Sequence, residues 1–318
     1  MEHIKDQLNH TLEAINLDIG ESNYSGKVRE NFYLKDEIVM ITTDRVSAFD
    51  HILGTIPFKG EVLTQIAKFW FEKTSHLVPN HYIGNPDPQV LLTKRAKPLP
   101  IEIIIRGYLT GSLWRDYSKG IDDQYGFKIP TGIKKNQKFS EPIITPTTKA
   151  EYGLHDEPIS REKIISTLVE KDIYEKAENY AMTLFLEGQK WAKDRGLILV
   201  DTKYEFGMIN NELHVIDEIH TPDSSRYWIA DEYETRFLSG ENQLMLDKEN
   251  IRQWLINKGF SGEGTPPMLS DEIRILLSEK YMELYQILVG KEFNPSLGDV
   301  KSRIINNLEE VILTNRES

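Results

Sequence analysis

The sequence predicts an α+β fold with two lobes: a small antiparallel β lobe over residues 1–105, and a larger α/β lobe over residues 106–318 that ends in helices. Short runs of branched and aromatic residues dominate the first hundred positions, whereas apolar residues recur at helical spacing beyond residue 240. A chain of 318 residues with 39% hydrophobic content buries a substantial core and is long enough for two lobes.

The first lobe is predicted to be a sheet covered by one helix. Apolar side chains at Leu63, Ile66, Phe69 and Trp70 give a helix between residues 61 and 77 one apolar face. The predicted strands cover residues 32–34, 38–42, 90–93 and 101–105. Pro98 and Pro100 lack backbone donors, so this segment is predicted to be an extended connector at the lobe boundary.

The second lobe is predicted to mix a loop, a long helix, paired strands and terminal helices. Residues 129–158 are punctuated by Gly and Pro and are interpreted as a loop. The long helix carries Ala177, Leu184 and Trp191 and stops before Gly196. Strands 197–201 and 212–216 are predicted to pair across a turn at Asn210-Asn211. Asp247 and Ser270 are predicted to cap two later helices, and the tail past Gly290 to add another.

Composition excludes several classes of function. The 50 acidic residues exceed the 38 basic ones by 12, which disfavours nucleic-acid binding, although a few converging cations suffice for a small phosphate. The absence of cysteine excludes disulfides, thiolate metal sites and a cysteine nucleophile. Without an 18-residue apolar run or a signal-like N-terminus, the chain is predicted to be cytoplasmic, with no membrane partner.

Three segments suggest anion binding. Gly26 with Lys27 and Arg29 is typical of a phosphate loop, or else of a solvated turn. Residues 42–50 pack acids, a base and hydroxyls after a strand, as in a binding loop or a cluster of Asx-turns and caps. Arg106 ends an apolar strand before Gly107 and Ser112, where it can bind phosphate or form a salt bridge.

The most informative region predicts a metal site. Alternate residues of a strand share a face, so Lys203 and Glu205 point together, and Asp217 on the returning strand can join them. Two carboxylates beside nucleotide phosphates suit Mg²⁺. The alternative is a solvated face of alternating charge, which the apolar neighbours of these acids disfavour. His155, His214 and His220 offer no His-Glu-x-x-His spacing and therefore no competing metal motif.

Taken together, these segments resemble the phosphoribosylaminoimidazole-succinocarboxamide synthase (SAICAR synthetase) family. Between Gly26 and Trp228 the resemblance rests on five ordered motifs and the strand of Lys203 and Glu205. The motifs are Gly26-Lys27-Val28-Arg29, Thr43-Asp44-Arg45-Val46-Ser47-Ala48-Phe49-Asp50, Arg106-Gly107-Tyr108-Leu109-Thr110-Gly111-Ser112, Thr145-Pro146-Thr147-Thr148-Lys149-Ala150, and Asp217-Glu218 through Pro222-Asp223-Ser224-Ser225-Arg226. Glu30 departs from the aspartate usual in the family but leaves Lys27 and Arg29 in register.

The resemblance implies a SAICAR-synthetase-like fold with ATP in the cleft between the lobes, and it implies roles for single residues. Lys27, Arg29 and Lys149 would lie at phosphates, Glu205 and Asp217 would bind Mg²⁺, and Lys203 would support the ATP site and catalysis. Arg106, Ser112, Asp223 and Arg226 would hold the imidazole ribonucleotide. Asp44, Arg45, Ser47 and Asp50 would lie beside the reacting carboxylate or the incoming L-aspartate.

The implied function is an ATP-dependent ligase of purine synthesis. It would condense 5-amino-1-(5-phosphoribosyl)imidazole-4-carboxylate with L-aspartate through an acyl phosphate, releasing ADP and phosphate. Two other functions stay open from the sequence: a small-molecule kinase with a related ATP site, and a nucleotide-binding protein without catalysis. The expected partners are these small molecules, and the expected assembly is a monomer or a small homo-oligomer.

Overall fold

A five-stranded antiparallel sheet occupies the N-terminal part of the computed structural model, which describes residues 2–49, 51–149, 156–246 and 249–311, without the side chains of residues 249, 250 and 253. Its strands lie in the order β1–β2–β3–β7–β6. Their bounds are Ser22–Ser25, Arg29–Tyr33, Glu37–Thr42, Val90–Lys94 and Tyr82–Asp87 in that order. The strands predicted over residues 32–34, 38–42 and 90–93 are thereby confirmed, with ends shifted by a few residues.

The two faces of this sheet are covered by different helices. Val39 and Ile41 point into a core with α9 (Val300–Asn307), whereas Met40 points toward α2 (Lys59–Thr74). Helix α2 confirms the helix predicted between residues 61 and 77. A hairpin of β4 (Arg45–Ala48) and β5 (His51–Thr55) leads into α2, and a short α1 (Glu2–Gln7) begins the described chain.

A six-stranded antiparallel sheet forms the centre of the molecule. The order β10–β8–β11–β12 is extended by β9 against β8 and by β13 against β11. These strands are β8 (Lys97–Tyr108), β9 (Lys138–Ile144), β10 (Thr147–Thr148), β11 (Leu197–Ile209), β12 (Glu212–Ile216) and β13 (Ser225–Ile229). The long β8 and β11 make this sheet the platform of the candidate site.

The segment around the two prolines differs from the prediction. Pro98 is extended as expected, but it pairs with Gly207 inside β8 rather than in a free connector. The register slips between Glu205 and Gly207, and Pro100, which has no N–H to donate, lies on the part of β8 facing that irregularity. The boundary predicted after residue 105 therefore falls within a strand, and the division into two lobes stays a prediction.

The predicted pairing of strands 197–201 and 212–216 needs a correction. Asn210 and Asn211 do form the turn, both with positive φ (49° and 64°), as in a tight hairpin. However, β12 pairs with residues 205–209, while residues 197–202 pair with β13. Since β11 is 13 residues long, its two halves have different partners.

Helices complete the second layer. Helix α5 (Lys171–Lys193) confirms the long helix and packs closely on β11: a Cβ at Gly188 would lie 2.7 Å from Leu199 Cδ2. The other helices are α3 (Gly111–Tyr117), α4 (Arg161–Thr167), α6 (Ala230–Ser239), α7 (Glu249–Asn257) and α8 (Asp271–Val289). Ser270 takes the N-cap position of α8 without a side-chain capping hydrogen bond to the backbone, whereas Asp247 lies outside the described residues.

The tail past Gly290 does add a helix. Ile304 and Leu308 are fully buried against the first sheet, and burial stabilises side chains of this size by about 1.5–3 kcal/mol each. Within the described residues, no helix has the length and apolar character needed to cross a membrane.

Candidate active site

One face of β8 and β11 carries a row of charged side chains. Arg106 lies opposite Asp201, and Glu102 lies opposite Glu205, with Lys203 between the two pairs. Because side chains alternate along a strand, Asp201, Lys203 and Glu205 point to the same side and span about 13 Å. The opposite side of β11 faces the core, where Tyr204 bonds His220 and Thr202 bonds Ser225. The charged side chains of β11 thus lie on one face of the sheet.

Lys203 bridges the two facing glutamates. Its Nζ donates to Glu102 Oε1 at 2.6 Å and to Glu205 Oε1 at 3.2 Å, and Lys149 contacts the other Glu205 oxygen. Burial alone would raise the pKa of Glu205, but the charges of Lys203 and Lys149 outweigh it and lower the pKa to about 2. Glu205 is therefore ionised at neutral pH, as an oxygen ligand for a cation must be.

Asp217 joins this group from the end of β12. It has a positive φ of 69°, contacts Arg29, and lies beside Glu218, whose Oε2 is 2.7 Å from Arg29 Nη2. Burial raises the pKa of Asp217 to about 6, and Glu205 and Glu218 add to this while Arg29 opposes it. The repulsion among the carboxylates of Asp217, Glu205 and Glu218 favours binding of an added cation beside them.

The donor set fits magnesium together with a phosphate. No group of three or more His, Cys, Asp or Glu side chains that could hold a metal occurs within residues 2–49, 51–149, 156–246 and 249–311. Mg²⁺ commonly takes only one or two carboxylates and completes its shell with water and phosphate oxygens. Glu205 and Asp217 can supply the two carboxylates, as the sequence predicted.

A second cluster lies at the other end of the row. Asp201 pairs with Arg106 on β8 and with Arg226 on β13, and its carboxylate contacts both guanidiniums. Arg106 Nε donates to Thr145 Oγ1 at 2.8 Å, and Nη2 to Ser112 Oγ at 3.3 Å. The predicted substrate residues Arg106, Ser112 and Arg226 are thus brought together.

The backbone at Gly111 approaches Arg226 closely. A Cβ there would lie 2.4 Å from Nη2, and φ is 60°, so both space and conformation favour glycine. Beside Arg226 lies a cavity of about 180 Å³, which Arg115 and Lys135 also line. Three cationic side chains around one cavity suit an anionic group such as a phosphate.

Asp223 lies apart from this pair, on the loop between β12 and β13. Its carboxylate accepts hydrogen bonds from Lys59 Nζ at 2.8 Å and from the Tyr281 hydroxyl at 3.2 Å. Only 8% of its side chain is exposed. The sequence predicted Asp223 as a substrate residue but gave no sign of these two partners.

The segment predicted to face L-aspartate is largely engaged in structural contacts. Asp44 is buried and accepts from the amides of Leu12 and Gly60, at 2.7 and 2.9 Å. Ser47 lies half-buried on β4 opposite Ile52, and Asp50 is outside the described residues.

Arg45 holds the glycine loop. Its guanidinium donates to the carbonyls of Gly26 and Lys27, at 2.8 and 3.0 Å, and forms an ion pair of 2.6 Å with Glu30. Since these contacts occupy much of its fork, the geometry makes Arg45 a residue that shapes the loop of Gly26 and Lys27.

Sequence reasoning missed three participants. Glu102 stands in a run of isoleucines, and this lone carboxylate was the signal that could have found it. Asp201 opens the metal motif, but its role depends on two strand partners far away in the chain. Lys59 follows Phe58 at the start of α2, and no pattern marks it as buried.

One face of the central sheet carries lysines and an arginine beside two carboxylates at one end and an arginine pair at the other, an arrangement that suits an enzyme that uses a nucleotide. A sequence profile described as SAICAR synthetase matches residues 22–268. The chain belongs to the SAICAR synthetase family. It is accordingly an enzyme, an ATP-dependent ligase of purine biosynthesis, and the kinase and the non-catalytic nucleotide-binding protein are not favoured.

Relatives and solved structures agree with this assignment. Phosphoribosylaminoimidazole-succinocarboxamide synthases of Azobacteroides pseudotrichonymphae and Bacteroides fragilis are each 46% identical, covering 92% and 91% of this chain and 93% and 94% of theirs. A SAICAR synthase of Saccharomyces cerevisiae, complexed with SAICAR, is 33% identical with a TM-score of 0.79, covering 89% of this chain and 100% of that one. The α+β fold predicted from the sequence is confirmed.

Proposed function

We propose that this ligase joins 5-amino-1-(5-phosphoribosyl)imidazole-4-carboxylate to L-aspartate, with ATP converted to ADP and phosphate. The observation that carries the proposal is the charged face of the central sheet, which has carboxylates and lysines at one end and Arg106 and Arg226 at the other. A span of about 13 Å separates Asp201 from Glu205, enough for a nucleotide phosphate and a ribonucleotide to meet between them.

The phosphates of ATP are assigned to the Glu205 end. Arg29, Lys149 and Lys203 supply positive charge there. Lys27 is expected to add to it from the glycine loop, and Glu205 and Asp217 would hold Mg²⁺. When bound, the metal would neutralise charge on the transferring phosphoryl group. A structure described as a type-2 SAICAR synthetase in complex with ADP, 25% identical with a TM-score of 0.65, supports a nucleotide site in this fold.

The ribonucleotide is assigned to the Arg106 end. A guanidinium fork matches a phosphate or carboxylate by two parallel hydrogen bonds, so Arg106 and Arg226 suit the anionic parts of this substrate. Ser112 and Asp223 would bind its polar groups. The yeast relative complexed with SAICAR supports a ribonucleotide site in this fold.

The place of L-aspartate rests on fewer contacts. The bonds of Asp44 and Arg45 support positioning roles, so a direct contact with L-aspartate remains a prediction for Ser47 and Asp50. A cytoplasmic location, and a monomer or small homo-oligomer, also remain predictions from the sequence.

The proposed chemistry activates a carboxylate. An oxygen of the imidazole carboxylate attacks the γ-phosphorus of ATP, ADP leaves, and an acyl phosphate forms. The amine of L-aspartate then attacks the acyl carbon, loses a proton, and displaces phosphate to leave the amide. The chain's cations lower the cost of charge on the phosphoryl oxygens, and the rigid sheet keeps the reactants aligned.

An oxygen-transfer experiment tests this route. The ribonucleotide is prepared with ¹⁸O in its carboxylate, and inorganic phosphate is examined by ³¹P spectroscopy after turnover with L-aspartate. We expect ¹⁸O in the phosphate, seen as an isotope shift, only when L-aspartate is present. A stable phosphorylated product without L-aspartate would indicate a kinase, and unlabelled phosphate would mean that water hydrolyses ATP.

A further inference from the structure

A lysine is fully buried at the start of α2. Lys59 has a relative exposure of 0%, and its Nζ lies 2.8 Å from Asp223 Oδ2 and 5.7 Å from the ring centroid of Tyr281. Removing an ammonium group from water costs several kcal/mol unless a partner offsets it. The sequence therefore maintains this ion pair at a place where an apolar residue would be easier to bury.

The pair joins three distant parts of the chain at one carboxylate. Lys59 belongs to α2, Tyr281 to α8, and Asp223 to the loop that starts at Asp217 and leads to Arg226. Both oxygens of Asp223 receive a hydrogen bond, which fixes the orientation of the carboxylate plane. The loop that connects the two ends of the candidate site is thus anchored near its end, two residues before β13.

Lys59 is itself held in place. The next amide, of Gly60, donates to Asp44 Oδ1 at 2.9 Å, so a buried carboxylate fixes the first turn of α2. A Cβ at Gly60 would lie 2.3 Å from Gln89 Nε2 and 2.4 Å from the carbonyl of Thr42. This close packing leaves the backbone at Lys59 little freedom.

We propose that Lys59 is a positioning residue for the ligase reaction, which orients the Asp223 carboxylate for hydrogen bonds from hydroxyl groups of the ribonucleotide. The ion pair with Lys59 and the hydrogen bond from Tyr281 fix that orientation. The inference rests on the proposed function, in which Asp223 binds that substrate.

A role limited to holding the fold together would affect stability but would not single out one substrate. The KM values for the ribonucleotide and for ATP are measured for Lys59→Met, Lys59→Arg and Asp223→Asn, with urea unfolding of each. We expect Lys59→Met to raise the KM for the ribonucleotide about tenfold and that for ATP less than twofold. Lys59→Arg restores part of the difference. Lys68→Met, a change at a half-buried lysine that pairs with Glu72 on the same helix, is the matched control and leaves both values unchanged.

Adding Lys59→Met to Asp223→Asn tests whether the lysine acts through the aspartate. We expect the double variant to differ from Asp223→Asn by less than about twofold in the KM for the ribonucleotide, because coupled residues are not additive. An equal rise in both KM values, or a loss of stability with both KM values unchanged, overturns the inference.

A second variant covers the case in which Lys59→Met does not fold. Tyr281→Phe keeps the ion pair and removes one hydrogen bond, and we expect it to raise the KM for the ribonucleotide about threefold. An unchanged value overturns the inference. If Asp223→Asn leaves the KM for the ribonucleotide unchanged, the proposed role of Asp223 in binding that substrate is wrong. If Asp223→Asn raises this KM but the Lys59 and Tyr281 variants leave it unchanged, only the positioning role of Lys59 is wrong.

Discussion

Glu102 and Glu205 face each other across β8 and β11, and Lys203 donates a hydrogen bond to both. Burial raises the pKa of Glu102 to about 7, with Lys203 opposing this and Glu205 adding to it. The glutamate that no motif marked is therefore one of the two anchors of the central lysine.

Glu102→Gln should lower kcat about tenfold. The amide keeps the shape but loses the charge that holds Lys203, and a hydrogen bond to a charged group contributes about 1.5–3 kcal/mol. Phosphate release under saturating substrates measures the effect. Glu141→Gln, an exposed change on β9, should have no effect, and equal rates for both variants would contradict the role given to Glu102.

Glu205→Gln and Asp217→Asn should each reduce turnover by orders of magnitude in a folded protein, because the lost interaction is mainly with the metal and the transferring phosphoryl group. Calorimetry of ATP binding with and without Mg²⁺ checks the cause. The ATP affinity of the wild type should depend strongly on Mg²⁺. The ATP affinity of the variant that carries both Glu205→Gln and Asp217→Asn should not. Normal turnover of the folded double variant would remove the metal assignment.

Arg226→Lys should weaken ribonucleotide binding although the charge is kept, since an ammonium cannot reproduce the two parallel bonds of a guanidinium. We expect a loss of about tenfold by calorimetry, with ATP affinity preserved. Arg236→Lys, on the exposed side of α6, is the control. Unchanged ribonucleotide affinity in both Arg106→Ala and Arg226→Ala would place this substrate elsewhere.

His220 should make the fold sensitive to acid. Burial lowers its pKa to about 3, from 6.5 in the unfolded chain, so the unfolded state binds the proton more tightly. The stability from neutral His220 is present above pH 6.5 and is lost as pH falls toward 3. Between pH 7 and pH 4, the free energy of unfolding in urea should fall by about 3 kcal/mol less in His220→Gln than in the wild type. Parallel pH profiles would refute this.

Arg303→Met should destabilise the protein by about 3 kcal/mol, the usual scale for breaking a buried ion pair. The guanidinium binds the fully buried Asp87 through Nε and Nη2, at 3.0 and 3.2 Å, and also bonds Gln89. Urea unfolding measures the change, with exposed Lys301→Met as the control. A difference below 1 kcal/mol would show that this ion pair contributes little to holding α9 in place.

The sequence was a good guide to local structure and a poorer guide to pairing. Helical periodicity located α2 and α5, and two consecutive asparagines located the turn after β11. Pairing depends on contacts between remote segments, so the division of β11 between β12 and β13 could not be predicted. Pro98 was misleading because a proline without a donor is tolerated where the sheet register is already irregular.

The same distinction applies to the site. Lys203 and Glu205 were predicted from strand alternation, and they do contact each other. Asp217 was predicted on the returning strand, but that strand ends at Ile216, which lies opposite Glu205, and Asp217 follows it with a positive φ and contacts Arg29. Asp44 and Arg45 could not be classified, because a conspicuous polar motif looks the same whether it binds substrate or supports a loop. Lys59 could be recognised as a candidate only from its burial in the structure, which no sequence pattern indicates.

The row on β11 has a consequence for how this enzyme can vary. The distances between Asp201, Lys203 and Glu205 are set by the rise per residue of an extended strand. The distance between the two ends of the site is therefore fixed by the backbone. Adding or deleting one residue within residues 202–204 would point some of these charged side chains toward the core. It would also change the distance between the two ends of the site. Substitutions can change the side chain at a single position of this stretch. Its length cannot change, whereas the loops at the sheet's edge can vary in length.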